Sequence, residues 1–218
     1  MTDKFNLTVE QNLFLAKKVL VSSIYNSAKL EGVNVTYPET QTILEGVNVP
    51  NLKLDEINVI LNLRDAWKHV LANINEEFNL DYLCQINHFV SRNESLEWGV
   101  LRNGTVGITG TKYIPEIPDK NQVEKDLNEI LKELSVTKKS IKILLYVMRS
   151  QLFWDGNKRT SMIAANKIMI SNGKGIITVK EEYINDFNKL LTEFYNTNNP
   201  KNIEEFIYNN CIYGIEIN

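Results

Sequence analysis

Two apolar runs separated by a short charged turn constrain the fold of this chain more than any other feature. Both runs have helical spacing and carry apolar side chains on more than one face, which predicts two buried central helices. The turn at 155–159 reads Asp-Gly-Asn-Lys-Arg, and Asn172-Gly173 ends the second run. The apolar positions are Ile141, Leu144, Leu145 and Met148 before the turn, and Ile163, Ala164, Ile168 and Met169 after it.

The charged turn has the composition of a phosphate-binding site. The first amide groups of a helix lack intrahelical partners, carry partial positive charge and bind anions. Gly156 lets a ligand approach the backbone, while Lys158 and Arg159 add full charges. Asp155 is suited to hold Mg²⁺ on the phosphates. A surface turn with solvated charges is the alternative, and the motif alone does not decide between the two.

Composition limits the class of protein and its partners. The chain has 218 residues, of which 43% are apolar and 23% charged, as expected for one globular domain with or without a small appendage. Its net charge of −3 argues against binding nucleic acid by bulk electrostatics. No apolar run approaches the roughly 18 residues of a membrane span, and no signal peptide pattern occurs. We therefore expect no nucleic-acid or membrane partner and a cytoplasmic location.

Helical periodicity covers most of the chain, which predicts a mainly α protein with a small β element. Residues 98–118 differ, because four glycines and two prolines lie among Val, Ile, Thr and Tyr. This composition predicts a β-hairpin or an extended flap packed beside the central turn. A short strand is expected at 175–179. The predicted outer helices are 9–31, a short run ending at Gly46, 54–74, 81–90, 122–134, 180–195 and 202–213.

Other candidate sites are weaker than the charged turn. Cys84 and His88 are four residues apart on a predicted helix, as metal ligands or a nucleophilic pair would be, but a core cysteine and a partly buried histidine are the favoured interpretation. Trp98, Tyr113 and Trp154 have rings that can stack on a base, although aromatic side chains more often pack in a core. Neither a P-loop nor a G-x-S-x-G elbow occurs.

With these patterns together, the chain resembles the Fic (Fido-domain) family over nearly its whole length. The family motif His-x-Phe-x-Asp/Glu-Gly-Asn-Gly/Lys-Arg matches residues 151–159, with Gln151 at the position of the histidine. Residues 106–115 resemble the flap that docks the backbone of a target protein, and Arg102 matches an arginine that usually precedes it. The flap residues singled out by this resemblance are Val106, Gly107, Ile108, Thr109 and Gly110.

The N-terminal part matches a third family pattern. Ser27, Glu31 and Gly32 fit Ser/Thr-x-x-x-Glu-Gly/Asn, the inhibitory motif of the N-terminal-inhibitor class. The resemblance implies an N-terminal helical segment at 1–50 that carries the inhibitory helix. It also implies a Fido core at 51–218 that forms one compact unit with this segment.

The resemblance further implies a transferase that moves AMP from ATP to a side-chain hydroxyl of a target protein. ATP is then the co-substrate, Mg²⁺ is held by Asp155, and the inhibitory glutamate lies where the terminal phosphate must bind. A homo-oligomer is left open. The implied catalytic positions are Gln151, Asp155, Asn157 and Arg159, and the implied nucleotide-binding positions are Gly156, Asn157, Lys158 and Arg159.

Three departures from the family pattern affect this expectation. The carboxamide of Gln151 cannot take the proton that the family histidine takes, and losing a general base typically costs about 10²–10⁴-fold in rate. Lys158 replaces the second motif glycine, as in the Doc branch, which transfers phosphate. Met162 replaces an arginine that usually pairs with the inhibitory glutamate, so that Glu31 lacks this partner and Arg159 is the candidate substitute.

The departures leave two functional hypotheses. The first is a Fic-type transferase of AMP, or of another phosphate-containing group, with weakened or atypical catalysis. The second is a catalytically silent nucleotide-binding regulator, either a pseudoenzyme or a toxin–antitoxin-like partner. We favour the first, because a decayed site need not retain both a magnesium ligand and an anion-binding turn.

Overall fold

The computed structural model describes residues 1–215, so residues 216–218 of the predicted core range lie outside the described part. The described chain is mainly helical and contains a two-stranded sheet, which confirms the predicted class. No helix in residues 1–215 is long and apolar enough to cross a membrane. The helices are α1 (Val9–Lys18), α2 (Leu20–Leu30), α3 (Tyr37–Leu44), α4 (Leu54–Ala72), α5 (Leu80–Val90), α6 (Lys120–Leu131), α7 (Val136–Ser150), α8 (Asn157–Ser171), α9 (Ile184–Thr197) and α10 (Lys201–Asn210), with a 3-10 turn at Glu181–Tyr183.

Helices α7 and α8 form the centre of the fold, as the two apolar runs predict. Every residue of α8 except Lys158 and Ser171 is buried. The helix packs against α7, α5, α4, α1 and the first strand. Its buried polar residue Asn166 donates to the carbonyls of Met162 and Ile177 and accepts from the Ile177 amide, so its hydrogen-bonding groups are satisfied.

The central helices divide the hydrophobic core into two parts. Ile163 and Ile168 of α8 pack with α2 to α5 on one side. Met162 and Met169 pack with α9 and α10 on the other side. The α7–α8 turn (residues 151–156) is therefore supported from both sides. Its outer face is directed towards the end of helix α2 and towards the flap (residues 106–115).

The predicted helix at 9–31 is two helices. The chain breaks at Val19, where φ is −102° and ψ is 14°, and this residue ends α1 and begins α2. Neither glycine nor proline lies at the break, and the apolar period continues across it. The sequence therefore contains no signal that the helix ends there. Lys17 and Lys18 in the last turn of α1 suit the negative end of the helix dipole.

The paired strands do not lie in residues 98–118, which are irregular and extended; this agrees with the flap alternative and not with a hairpin. Strand β1 (Ile176–Ile177), inside the predicted strand, pairs antiparallel with β2 (Ile212–Tyr213). The expected helix at 202–213 therefore ends early, at Asn210. Prolines and glycines are poor ladder formers, which explains why β-prone residues in the flap stay unpaired.

Candidate functional site

A cavity of about 400 Å³, here called the turn cavity, lies over the α7–α8 turn. Three segments that the sequence singled out meet on its wall: the end of α2, the flap and the turn itself. A larger cavity of about 740 Å³ beside Tyr25 and Tyr213 contains none of the predicted site residues, so we assign the chemistry to the turn cavity. The predicted residues on the wall are Glu31, Gly107, Ile108, Thr109, Gln151, Asp155, Gly156, Asn157 and Lys158.

Some predicted residues lie elsewhere, and one side of the cavity was not predicted. Helix α9 supplies the unpredicted side, and its amphipathic pattern gave no sign of a functional role. The predicted residues outside the wall are Ser27, Gly32, Val106, Gly110 and Arg159, and the unpredicted wall residues are Asn188, Leu191, Thr192 and Tyr195.

Gly156 allows α8 to begin against the end of α5. Its φ is 72°, and a Cβ atom here would lie 2.7 Å from Cγ1 of Val90 and 3.3 Å from Cβ of Ser91. No side chain of the described chain caps the first turn of α8. The amide groups of this turn can therefore donate to an anion in the cavity.

Asn157 and Gln151 fix the shape of the turn. Oδ1 of Asn157 accepts from the Phe153 amide at 3.0 Å, and its Nδ2 donates to the Phe153 carbonyl at 2.8 Å and to Oε1 of Gln151 at 3.2 Å. Nε2 of Gln151 donates to the Met148 carbonyl at 2.6 Å. Gln151 ends α7 in the left-handed conformation, with φ of 46°. The Asn157 side chain thus braces the turn through hydrogen bonds within the protein.

Asp155 lies at the edge of the turn with its side chain 51% exposed. One carboxylate oxygen accepts from the Gly156 amide, and the other is 3.8 Å from Arg159. Asn87 fixes its backbone, because Nδ2 of Asn87 donates to the Asp155 carbonyl at 3.0 Å. Residues 1–215 contain no group of three or more His, Cys, Asp or Glu side chains that would hold a metal alone. An exposed carboxylate still fits Mg²⁺, which often takes one or two carboxylates and completes its shell with phosphates and water.

Arg159 points away from the cavity into the protein. Its side chain is 3% exposed, and its Nη1 atom donates to Oε2 of Glu94 at 2.8 Å and to the Val90 carbonyl at 3.1 Å. Burial alone lowers the pKa of the guanidinium. The carboxylates of Glu31, Glu94 and Asp155 more than reverse this, so that the pKa is raised and the group stays charged.

Glu31 forms an ion pair with Lys158 and not with Arg159. Nζ of Lys158 is 3.8 Å from Oε1 of Glu31 and donates to the Leu30 carbonyl at 3.2 Å. The same Oε1 atom is buried and accepts no hydrogen bond within the described chain. The structure therefore links the end of α2 to the first turn of α8 through Lys158, whereas the sequence had suggested Arg159 for this role.

Arg102 holds the flap against the α7–α8 turn. Its side chain is 1% exposed and donates to main-chain carbonyls on both sides of the flap and at the end of α7. Gly104, just before the flap, lies against the ring of Trp154, where a Cβ atom would be 2.5 Å from the ring. The Trp154 ring therefore packs against the start of the flap and is not needed as a stacking surface for a base. The acceptors of Arg102 are the carbonyls of Gly104, Pro115, Glu116, Ser150 and Gln151.

Two of the remaining sequence candidates, Tyr113 and Cys84, have structural explanations. The guanidinium carbon of Arg149 lies 3.8 Å from the ring centre of Tyr113, so this ring has a partner within the protein. Burial raises the pKa of the Cys84 thiol to about 11, which makes it a poor nucleophile at neutral pH.

Comparison with known proteins agrees with the fold and the turn. Residues 77–169 match the model of the Fic/DOC family. The protein adenylyltransferase Fic of Nematostella vectensis is 27% identical over 207 residues, which are 88% of this chain and 46% of that protein. The protein of the same name from Aedes aegypti is 27% identical over 178 residues, which are 77% of this chain and 35% of that protein. The chain thus spans less than half the length of these relatives.

Solved structures show the same fold at low identity. Fic-1 (residues 134–508) from C. elegans superposes with a TM-score of 0.74 at 18% identity, covering 89% of this chain and 59% of that one. A Fic domain containing signaling protein from Bacteroides thetaiotaomicron gives 0.72 at 17% identity, covering 93% of this chain and 85% of that one. The region that matches the Fic/DOC family model, residues 77–169, contains the flap, Arg102 and the α7–α8 turn, so the resemblance of the chain to this family holds for these residues.

Proposed function

We propose that this chain is a Fic-type transferase that moves AMP from ATP to a hydroxyl side chain of a target protein, with catalysis weakened by Gln151. One observation carries the proposal: the turn cavity combines the uncapped start of α8, the exposed carboxylate of Asp155 and the flap. Relatives named protein adenylyltransferase Fic support AMP as the transferred group.

The phosphates of ATP would bind to the amide groups of the first turn of α8, with Asp155 as the protein ligand of Mg²⁺. When bound, Mg²⁺ neutralises phosphate charge. These groups position the α-phosphate and stabilise the charge that develops on it, which is the main protein contribution to phosphoryl-type transfer.

The flap would bind the target by its main chain. The Thr111 amide donates to the Ile108 carbonyl. Residues 106–109 alternate between partly buried and exposed positions and pair with no strand. An extended segment of this kind can pair with an extended target peptide and leave the side chains to define preference. Such pairing would place a target hydroxyl beside the α7–α8 turn.

Gln151 makes the reaction slow. In the transfer the target oxygen bonds to the α-phosphorus, the bond from this phosphorus to the bridging oxygen breaks, and pyrophosphate leaves. Both ends of the Gln151 amide are hydrogen-bonded, and an amide is not basic at neutral pH. The hydroxyl proton then passes to a phosphate oxygen of the substrate, while positioning supplies the remaining acceleration.

A catalytically silent nucleotide-binding regulator is the second candidate. The engaged amide of Gln151 and the Lys158–Glu31 pair inside the turn cavity favour it, since a regulator needs binding without turnover. Transfer of the terminal phosphate is a variant of the first candidate. It is retained because Lys158 stands where the Doc branch, which transfers phosphate, also has a lysine.

ATP labelled at the α- or at the γ-phosphate separates these candidates. The purified protein is incubated with Mg²⁺, each labelled ATP and a lysate of the source cells, and label in protein is followed over time. We expect slow incorporation from α-labelled ATP. Incorporation from γ-labelled ATP alone would replace AMP transfer with phosphorylation. Equilibrium binding of ATP without incorporation of either label would establish the regulator.

A further inference from the structure

The cavity of about 740 Å³ beside Tyr25 and Tyr213 has no part in the proposed transfer reaction. It is here called the tyrosine cavity, because Tyr25, Tyr37 and Tyr213 all contribute to its wall. None of its wall residues belongs to the wall of the turn cavity, so the two sites are separate. Small-molecule sites typically have volumes of about 300–1,000 Å³, and the tyrosine cavity falls within this range.

The wall of the tyrosine cavity is apolar and aromatic. The rings of Tyr25 and Tyr37 meet edge to face, with their centres 5.9 Å apart. Leu15, Val19 and Ile176 supply aliphatic surface beside them. Because the face of an aromatic ring carries negative potential, such a wall attracts cations that also have an apolar body.

The chain already places an ammonium group on this wall. Nζ of Lys180 lies 4.4 Å from the centre of the Tyr213 ring, within the distance of about 6 Å over which a cation is attracted to a ring face. Lys180 is exposed and precedes the 3-10 turn, so its flexible side chain can move into water. The Tyr213 ring is therefore a cation-binding face whose present occupant can be replaced.

Two carboxylates stand at the cavity, and only one of them is balanced by a neighbour. Glu181 accepts from the Tyr25 hydroxyl, and its other oxygen lies 3.2 Å from Nζ of Lys29. Glu182 is also on the wall. Burial is the main cause of the raised pKa of Tyr213, and the negative charge of Glu182 adds to it, so this carboxylate lies close to the ring. Glu182 thus supplies the negative charge that a cation on Tyr213 needs.

We propose that the tyrosine cavity binds a small organic cation, an alkylammonium group attached to an apolar body. The ammonium group replaces Lys180 on the face of Tyr213, beside Glu182. The apolar body lies against the rings of Tyr25 and Tyr37. Aromatic walls with a nearby carboxylate favour alkylated ammonium groups. The inference does not depend on nucleotide binding in the turn cavity.

Titration of the full chain with benzyltrimethylammonium, followed by the NMR shifts of its amide groups, tests the proposal. We expect saturable shift changes at the tyrosine cavity, with a Kd of about 1 mM or below. Phenylacetate and benzyl alcohol keep an aromatic ring without the positive charge, and they should bind at least about 5-fold more weakly. Absence of saturable binding of the cation up to about 10 mM overturns the site. Phenylacetate binding as tightly as the cation overturns the assigned charge.

Substitutions locate the cation on the Tyr213 face. Tyr213→Leu should raise the Kd about 3- to 30-fold, whereas Tyr213→Phe keeps the ring and should stay within about 3-fold of the wild type. Lys180→Ala should lower the Kd about 3- to 10-fold, because it removes the competing ammonium group. Tyr208→Leu is the matched control, since Nζ of Lys4 lies 4.6 Å from the centre of the Tyr208 ring but this tyrosine is not on the cavity wall.

The contrary results are equally clear. Weaker cation binding in Lys180→Ala, or an equal loss in Tyr208→Leu and Tyr213→Leu, overturns the assignment. If circular dichroism shows that Tyr213→Leu does not fold, Tyr37→Leu takes its place, because Tyr37 is 44% exposed. The Kd of Tyr37→Leu should rise about 3- to 10-fold, and an unchanged value overturns the aromatic wall as the binding surface.

Discussion

Oε1 of Gln151 accepts a hydrogen bond from Nδ2 of Asn157 at 3.2 Å, while Nε2 of the same glutamine donates to the Met148 carbonyl at 2.6 Å. Both ends of the side chain are thus engaged beside the turn cavity. The glutamine stabilises the turn at the position that the Fic motif gives to histidine, and it supplies no basic atom. A substitution at this position can therefore separate the structural role of the side chain from its effect on the reaction rate.

Gln151→His is expected to raise the rate of AMP transfer by about 10²–10⁴-fold, because a neutral imidazole near pH 7 can accept the hydroxyl proton. The measurement is the initial rate of label incorporation from α-labelled ATP. Gln151→Asn is the control, since it keeps an amide and asparagine tolerates the left-handed backbone. An equal gain in the asparagine variant would show that relief of crowding, and not basicity, limits the wild type.

Glu31→Gln is expected to tighten ATP binding by about 2- to 10-fold, because it removes a carboxylate from the turn cavity and releases Lys158. Equilibrium titration with ATP measures this effect. Glu45→Gln is a suitable comparison, as Glu45 also ends a helix, α3, but is not on the cavity wall. Unchanged ATP affinity in Glu31→Gln would remove the inhibitory role assigned to this residue.

Gly156→Ala is expected to lower the free energy of unfolding by about 1–3 kcal/mol, the range for a non-glycine residue held at positive φ. The contact of 2.7 Å with Val90 adds to this strain. Urea unfolding provides the measurement. Gly107→Ala, where a Cβ atom meets nothing within 4 Å, should stay within about 0.5 kcal/mol of the wild type. Equal effects of the two substitutions would contradict the role of Gly156 in starting α8.

Arg102→Lys is expected to increase amide hydrogen exchange in the flap, because an ammonium group cannot reach carbonyls on both sides of it as the planar guanidinium does. Exchange followed by mass spectrometry over residues 104–116 measures this. Arg92→Lys alters an arginine that pairs with Asp65 away from the flap and should leave flap exchange unchanged. If the amides of the flap stay protected from exchange in Arg102→Lys, packing and not Arg102 makes the flap rigid.

Asp3 should make stability depend on pH in the acid range. Burial raises the pKa of its carboxyl group, but hydrogen bonds from Thr137 and Ser135 and the charge of Lys174 outweigh it, so the pKa lies below the ordinary value of 3.8. A lowered folded pKa adds stability that is fully present above about pH 4 and is lost as the pH falls through the folded pKa.

Asp3→Asn is therefore expected to lower the free energy of unfolding at pH 7 by about 0.5–1 kcal/mol, since Asp3 bonds the start of α7. The difference from the wild type should shrink as the pH falls from 5 to 3, as followed by urea unfolding. Glu77→Gln, in an exposed loop, serves as the reference. If the difference in unfolding free energy between Asp3→Asn and the wild type persists at pH 3, the effect comes from side-chain packing and not from the charge of Asp3.

The central helices and the turn were predictable because their information is local. Apolar spacing sets α7 and α8, and Gly156 and the absence of a capping side chain follow from adjacent residues. Cytoplasmic location, oligomeric state and the division at residue 50 stay predictions. The break at Val19 was not predictable, since its backbone angles carry no glycine or proline signal.

Charge partners could not be read from the sequence. Arg159 meets Glu94, which lies 65 positions away, and Lys158 meets Glu31, 127 positions away along the numbering. Such pairs depend on how helices pack, so a motif indicates which charges are present but not which of them reach a ligand. The same limit explains why Asn188, Thr192 and Tyr195 of α9 were missed as part of the turn cavity.

The contacts of Arg102 have a consequence for variation among related proteins. Every acceptor that its side chain uses is a main-chain carbonyl, a group that all twenty amino acids possess. This part of the flap's attachment is therefore independent of the side chains of the flap, whereas Thr111 and Tyr113 add side-chain contacts of their own with Asn196 and Arg149. Exposed flap residues such as Thr109, Lys112 and Ile114 can vary without loss of the Arg102 contacts, so that what the flap displays and how it is held can evolve independently.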